Sequence, residues 1–262
     1  MNRILDYSNL SEQIQNWITS YVNNNDIKCL VVGVSGGIDS AVVSTLCAET
    51  GIPTIIVGMP IHSSAKNTKL SEKHISQLCF DYPHNVTGLN VDLTSTFDKF
   101  KSTIDKIADS ELAFANTKSR LRMITLYQIA TSKGGIVVGT GNKVEDFGVG
   151  FYTKYGDGGV DISPIADLYK SEVRSLGKFL GVDEDIVNAE PTDGLWDDDR
   201  NDETQIGASY EEMEWVMEFG TKKQNFTEKE YKAIETYNKF HNKNKHKMVS
   251  IPIFDLKYHE II

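Results

Sequence analysis

The stretch Leu30-Val-Val-Gly-Val-Ser-Gly-Gly-Ile-Asp-Ser-Ala-Val-Val43 decides the fold. Its first half is an unbroken apolar run, the mark of a strand buried on both faces of a sheet. Its second half spaces Val42, Val43, Leu46 and Cys47 along one face of a helix predicted over 39–49. Between them lies Ser35-Gly36-Gly37, a turn in which glycine lets the backbone approach an anion and a helix start presents its amide N–H groups. Asp39 is out of character there, since a carboxylate repels phosphate. Two readings fit the turn alone. One is a phosphate cradle whose aspartate shares a magnesium ion with the phosphates. The other is a glycine turn followed by an ordinary aspartate N-cap.

The same alternation continues along the chain. Further strands are predicted over 53–60, 84–93 and 134–142, and helices over 8–24, from about 64, through Phe97 and Ile104, and over 113–132. Strands separated by single helices imply right-handed crossovers and a parallel sheet. The expected fold class is α/β, a single domain with a doubly wound parallel sheet and helices on both faces. Ligands of such sheets bind beyond the carboxyl ends of the strands. That brings Val34–Ser40, Met59–Ser63 and Thr140–Glu145 around one crevice.

The last third is less regular. A helix is predicted over 167–180, closed by Gly181, and the acidic stretch 190–208 reads as a mobile loop. Ser209…Glu212 and Thr227…Glu230 have capping-box spacing and open two helices.

Bulk properties narrow the function. The 262 residues carry 37 acids against 27 bases, a net charge of −10, which argues against broad binding to nucleic acid. No apolar run approaches the roughly 20 residues of a membrane helix, and the N-terminus is too polar for a secretory signal. Three scattered cysteines fit a reduced, cytoplasmic protein. The six histidines lack zinc-ligand spacing. Trp196–Glu203, WDDDRNDE, is either a solvated acidic loop or a metal site.

Three further segments carry chemistry. The glycine-rich 139–165 follows the fourth strand and offers Thr140, Glu145, Lys154 and Asp157; Glu145 can join Asp39 as an oxygen ligand, unless the segment is a solvated loop. Arg120 and Arg122 lie about 200° apart around one helix, so one is functional or paired and the other solvated. Lys170, at a helix start, reads by itself as a surface lysine.

Taken together, GVSGGIDS, NTKSRLRM, GTGNKVE, FYTKYGDGGVD, ADLYKSEV, EPTDGLWDD and DETQIGASYEE resemble, in order, the blocks of the ammonia-dependent NAD synthetases of the N-type ATP pyrophosphatase group. The resemblance spans residues 30 to 250. It implies an adenine nucleotide alpha hydrolase-like fold and a homodimer. It implies that Gly33, Val34, Ser35, Gly36, Gly37, Ile38, Asp39 and Ser40 hold the phosphates of ATP. Thr140, Lys170 and Thr192 would also contact ATP, with Asp39 and Lys170 catalytic. Asp39 and Glu145 would ligate Mg²⁺. Arg120, Lys154, Asp157, His246 and Lys247 would contact deamido-NAD. Two departures stand out. One residue more than the family pattern lies between Glu145 and Phe151, so Asp146–Gly150 is expected to take a different path. The tail reads His246-Lys247-Met248 where the pattern has His-Lys-Arg.

The reaction this implies is amidation of deamido-NAD by ammonia through an acyl-adenylate, giving NAD, AMP and pyrophosphate, the last step of NAD biosynthesis. It explains a phosphate loop without a lysine, because no γ-phosphoryl group is transferred. The pyrophosphate loop begins near residue 33, so no glutamine amidotransferase domain is expected before it and free ammonia is the expected nitrogen donor. The alternatives are another pyrophosphatase of the group, tRNA-thiolating or amide-forming, or a non-enzymatic nucleotide-binding module. The first would bring paired catalytic cysteines or a basic RNA surface; the second would bind ATP without turnover.

Overall fold

The computed structural model describes residues 3–192, 194–196, 201–220, 222, 225–254 and 256. The chain runs α1 (Tyr7–Asn24), β1 (Leu30–Gly33), α2 (Ile38–Glu49), β2 (Thr54–Gly58), α3 (Ala65–Asp81), β3 (Val86–Asn90), α4 (Thr94–Ile104), α5 (Glu111–Lys133) and β4 (Ile136–Val137). A π-helix, Val144–Val149, follows, and then α6 (Lys170–Phe179), α7 (Glu184–Val187), α8 (Asp202–Ile206), α9 (Tyr210–Phe219) and α10 (Glu228–Met248).

Among the described residues the strands form one parallel sheet of order β3-β2-β1-β4. The chain winds outward from β1 through β2 to β3, then returns to place β4 on the other side of β1. The switch point of this doubly wound sheet therefore lies between β1 and β4, where a crevice opens at the carboxyl ends.

Alternate residues of β1 feed opposite faces. Leu30 and Val32 pack with Ile18 of α1, Val42 and Leu46 of α2 and Leu176 of α6. Val31 packs with Val57, with Phe97 of α4 and with Phe114, Met123 and Leu126 of α5. Each such aliphatic side chain withdrawn from water contributes about 1.5–3 kcal/mol. The central strands are covered on both faces as expected, but β3 is an edge strand with Thr87, Asn90 and part of Leu89 exposed. The predicted fourth strand is much shorter than 134–142. Gly139 and the turn beyond it leave the sheet, and a bridge from Val138 to Ile162 extends β4 instead.

The helix predicted over 167–180 begins only at Lys170, because Ile165–Leu168 form a turn first. Both predicted capping boxes are present: Ser209 and Glu212 open α9, and Thr227 and Glu230 open α10. The acidic stretch is partly helical, as α8. Asp193 and Asp197–Arg200, and with them the middle of WDDDRNDE, lie outside the described residues.

The segment after Glu145, expected to take a path of its own, is wound as the π-helix. Its wider turn, with Gly150 N–H reaching Glu145 O, holds one residue more than an α-turn. A satellite core fixes it: Val144 and Val149 pack with Tyr169, Ile206, Tyr210 and Met213. Three side chains of α10, one turn apart, then grip its end. His241 Nδ1 donates to Gly148 O (2.7 Å), Asn244 Nδ2 to Val149 O (2.9 Å), and Lys247 Nζ to Gly150 O and Tyr152 O (2.7 Å for the latter).

Candidate active site

A cavity sits at the switch point, lined by all of Gly33–Ser40, by Gly58–Pro60, by Gly139–Gly141 and by the loop from Ala189 to Trp196 among its described residues. Its floor is the β1–α2 turn. Gly36 has φ +91°, and a Cβ there would stand 2.7 Å from Asn67 O, so only glycine fits. The turn holds itself: Ser35 N–H donates to Ser40 Oγ (3.2 Å), Gly37 N–H to Ser35 Oγ (3.2 Å) and Ser40 O–H to Gly37 O (2.9 Å).

Gly37 is the N-cap of α2, and no side chain caps it. The aspartate N-cap reading is thereby corrected: Asp39 is the second helical residue and its carboxylate caps no amide of α2. The first amides of α2 are left to face the cavity at the positive end of the helix dipole, as an anion requires.

Asp39 instead meets residues from two other elements. Asn142 Nδ2 donates to Asp39 Oδ1 over 3.3 Å, and the ammonium of Lys170 is paired with Asp39 Oδ2. Lys170 also reaches Glu145 Oε1 at 3.2 Å, and its Nζ stands 4.9 Å from the centre of the Tyr210 ring. Lys170 is therefore no surface lysine; only 4% of it is exposed. Burial works against its charge, but the carboxylates of Asp39 and Glu145 outweigh burial and hold it protonated, with its pKa raised.

Asn142, wholly buried, organises this group. Its Oδ1 accepts from the N–H of Val144 (3.1 Å) and of Glu145 (3.2 Å), capping the π-helix, while its amide nitrogen holds Asp39. Tyr210 donates its hydroxyl hydrogen to Glu145 Oε1 (2.6 Å), with Asp202 Oδ2 also within reach of the hydroxyl at 3.3 Å. Burial first, and the neighbouring carboxylates after it, raise the Tyr210 pKa well above the usual phenol value, so the hydroxyl stays a donor. Asp146 also lines the cavity. Burial, with Glu145, Asp157 and Asp39 nearby, pushes its carboxyl up to about 8.

The other sequence-predicted residues divide. Thr140, Thr192 and Asp157 line the cavity. Asp157 Oδ1 accepts from Ser119 O–H (2.6 Å) and Thr153 N–H (3.0 Å), and Thr192 Oγ1 accepts from Gly194 N–H (3.2 Å). Arg120, Lys154, His246 and Lys247 are not in the lining. Arg120 is exposed and donates to Lys154 O (3.2 Å), whereas Arg122 lines the cavity and donates to Met59 O (3.1 Å). His246 is exposed, and Lys247 is engaged with Gly150 and Tyr152. Sequence reasoning left Asn142, Tyr210 and Asp146 without a role, placed Asp202 only within a possible acidic metal site, and by resemblance named Arg120 where Arg122 lines the cavity. Of the three without a role, Asn142 alone carried a signal, as an asparagine placed to cap the segment after it.

The donor set fits a magnesium ion of a particular kind. Asp39 and Glu145 offer hard carboxylate oxygens around one point, and among the described residues no group of three or more potential ligands stands together. Mg²⁺ commonly takes one or two carboxylates and completes its shell with phosphates and water.

The family model described as NAD synthase matches residues 10–250. An NH₃-dependent NAD⁺ synthetase of Finegoldia magna is 36% identical over 90% of this chain and 95% of its own length. Among solved structures, an NMN synthetase from Francisella tularensis superposes with a TM-score of 0.86 at 30% identity, covering 96% of this chain and 100% of that one. The NH₃-dependent NAD synthetase of Campylobacter jejuni has a TM-score of 0.77 at 26% identity, covering 96% and 100%.

Proposed function

From the premise that the chain belongs to the NAD synthase family of enzymes, as an NH₃-dependent synthetase, we propose that its cavity converts deamido-NAD, ATP and ammonia into NAD⁺, AMP and pyrophosphate. The observation that carries this reading is the meeting of Asp39, Glu145 and Lys170 beside the uncapped start of α2. A carboxylate pair, one cation and a cradle of amides suit a reaction that separates pyrophosphate from an α-phosphate.

The nicotinate carboxylate attacks the α-phosphorus of ATP, the bond to the β-phosphate oxygen breaks, and pyrophosphate leaves. Gly33–Ser40 hold the phosphates, and the amides opening α2 meet the charge that grows on the leaving group. Lys170 neutralises charge at the α-phosphate; Thr140 and Thr192 contact ATP. Asp39 and Glu145 would hold Mg²⁺, which when bound supplies charge neutralisation on the phosphate oxygens. Ammonia then adds to the acyl carbon, AMP departs and a proton is released. Asp157 orients the deamido-NAD inside the cavity, while Arg120, Lys154, His246 and Lys247 serve the part that extends beyond it. A homodimer would bring a second surface to that outer part. Three free cysteines, two of them buried, suit a reducing cytoplasmic setting. Among the described residues no helix is long and apolar enough to cross a membrane.

The likeness to the Francisella NMN synthetase supports a second reading of the substrate: the deamidated mononucleotide in place of the dinucleotide. One experiment addresses both. The protein is incubated with ATP, Mg²⁺, ammonium and either deamido-NAD or nicotinate mononucleotide, and products are identified by mass spectrometry. Equimolar NAD⁺, AMP and pyrophosphate support the first reading, and a higher kcat/KM with the mononucleotide supports the second. ADP in place of AMP overturns both.

A further inference from the structure

We propose that Lys170 stands in for the divalent cation while the nucleotide is absent, and surrenders that place when metal and ATP arrive together. The inference rests on reading the site as one for Mg²⁺ and ATP, and it concerns how the chain keeps that site ready.

Both carboxylate oxygens of Asp39 are engaged: Oδ1 by Asn142 and Oδ2 by the Lys170 ammonium. Glu145 Oε1 is shared between Lys170 at 3.2 Å and Tyr210 at 2.6 Å. A cation held between Asp39 Oδ2 and Glu145 Oε1 would take the place that the ammonium holds. An ammonium and a divalent ion repel each other there, so one partner of the carboxylates must yield.

Asn142 is not the one. It is wholly buried, and its other amide atom is fixed by the N–H groups of Val144 and Glu145. Lys170 is built to move. Its head sits on a flexible four-carbon stem at the first residue of α6, and it already lines the nucleotide cavity. Two carboxylates in a buried place need a compensating charge at all times. Lys170 supplies it in the empty site. When the metal supplies it, the ammonium is released toward incoming phosphate. The exchange couples the two ligands: metal alone must displace a buried ion pair, whereas metal arriving with ATP gives Lys170 a new anionic partner.

The test uses Mn²⁺ without nucleotide, its binding followed by electron paramagnetic resonance. Lys170→Met should bind Mn²⁺ more tightly than wild type, on the order of tenfold. Mg²⁺ alone should raise the melting temperature of the variant more than that of wild type. Equal or weaker Mn²⁺ binding by Lys170→Met overturns the proposal. Should the variant not fold, wild type decides. With lysine Nζ labelled by ¹⁵N, the buried ammonium of Lys170 should give a signal that shifts or broadens on adding Mg²⁺ with the α,β-methylene analogue of ATP. An unmoved signal, once ³¹P shifts show the analogue bound, overturns it as well. Neither readout depends on NAD⁺ formation, so failure of the assigned reaction leaves this test intact.

Discussion

Tyr210 donates its hydroxyl hydrogen to Oε1 of Glu145 over 2.6 Å, across 65 residues of sequence. The bond ties α9 to the π-helix and fixes one carboxylate of the candidate metal pair. Tyr210→Phe keeps the ring beside Lys170 and removes only the donor. A lost hydrogen bond to a charged group costs about 1.5–3 kcal/mol, so urea denaturation should show a loss of that size. With Glu145 less constrained, the Mg²⁺ concentration for half-maximal turnover should rise on the order of tenfold, as about 1.4 kcal/mol implies. A variant with the wild-type Mg²⁺ dependence would remove Tyr210 from the site.

Asp39→Asn tests the other carboxylate. The amide fills the same volume and leaves Lys170 paired with Glu145 at 3.2 Å, so the near-ultraviolet circular dichroism should match wild type. Turnover should fall by at least about a hundredfold, the loss typical when a group stabilising developing charge is removed. The initial rate of AMP formation measures it. Near-normal kcat would take Asp39 out of the metal site.

A pH effect on stability follows from the core, away from the cavity. His74 Nε2 lies 2.9 Å from Ser44 Oγ, and burial holds the imidazole down at about 4. An unfolded histidine titrates near 6.5. Between those values the unfolded chain binds a proton that the native state refuses, so stability falls as pH drops through the window, by up to about 1.4 kcal/mol per unit. Above about pH 6.5 this group contributes no slope. His74→Gln retains a polar partner for Ser44 and should flatten the profile between about pH 4.5 and 6.5, measured by urea midpoints. An unchanged slope would mean the imidazole is charged in the folded state.

The fold was legible because its decisive strand is buried on both faces. An apolar run from Leu30 to Val34, then a glycine turn and a helix, repeated along the chain, fits a parallel sheet with helices on both faces. The strand limits were less so. The predicted strand 134–142 runs past the point where Gly139 turns out of the sheet, and hydropathy does not register a turn. The site was legible as residues but not as an arrangement. Asp39, Glu145 and Lys170 each had a place in a recognisable block, yet their meeting is tertiary: Lys170 and Asp39 are 131 positions apart. Lys170 looked like a surface residue because only burial by α9 and the π-helix makes it otherwise. Tyr210 carried no signal, since an aromatic in the first turn of a helix reads as ordinary core. The choice between Arg120 and Arg122 depended on which side of α5 faces Met59, and periodicity shows that they diverge without showing which one points inward.

Gly150 offers the sharpest test of how the last helix serves the site. Its φ is +63°, and a Cβ would stand 2.5 Å from Asn244 Cβ and 2.6 Å from Met248 Cε, both on α10. Gly150→Ala thus combines a left-handed backbone with a collision that the helix must relieve by moving. The left-handed conformation costs roughly 1–2 kcal/mol in a residue with a Cβ, and overpacking adds about 1–3 kcal/mol. Total destabilisation of about 2–5 kcal/mol should appear in urea denaturation. The same displacement loosens the grip of His241, Asn244 and Lys247 on carbonyls 148 to 152, so the π-helix bearing Glu145 loses its outer support. Turnover should therefore drop further than the folded fraction does, with the larger change in the Mg²⁺ requirement. Loss of stability with Mg²⁺-dependent kinetics unchanged would show that α10 supports the fold but not the carboxylate pair.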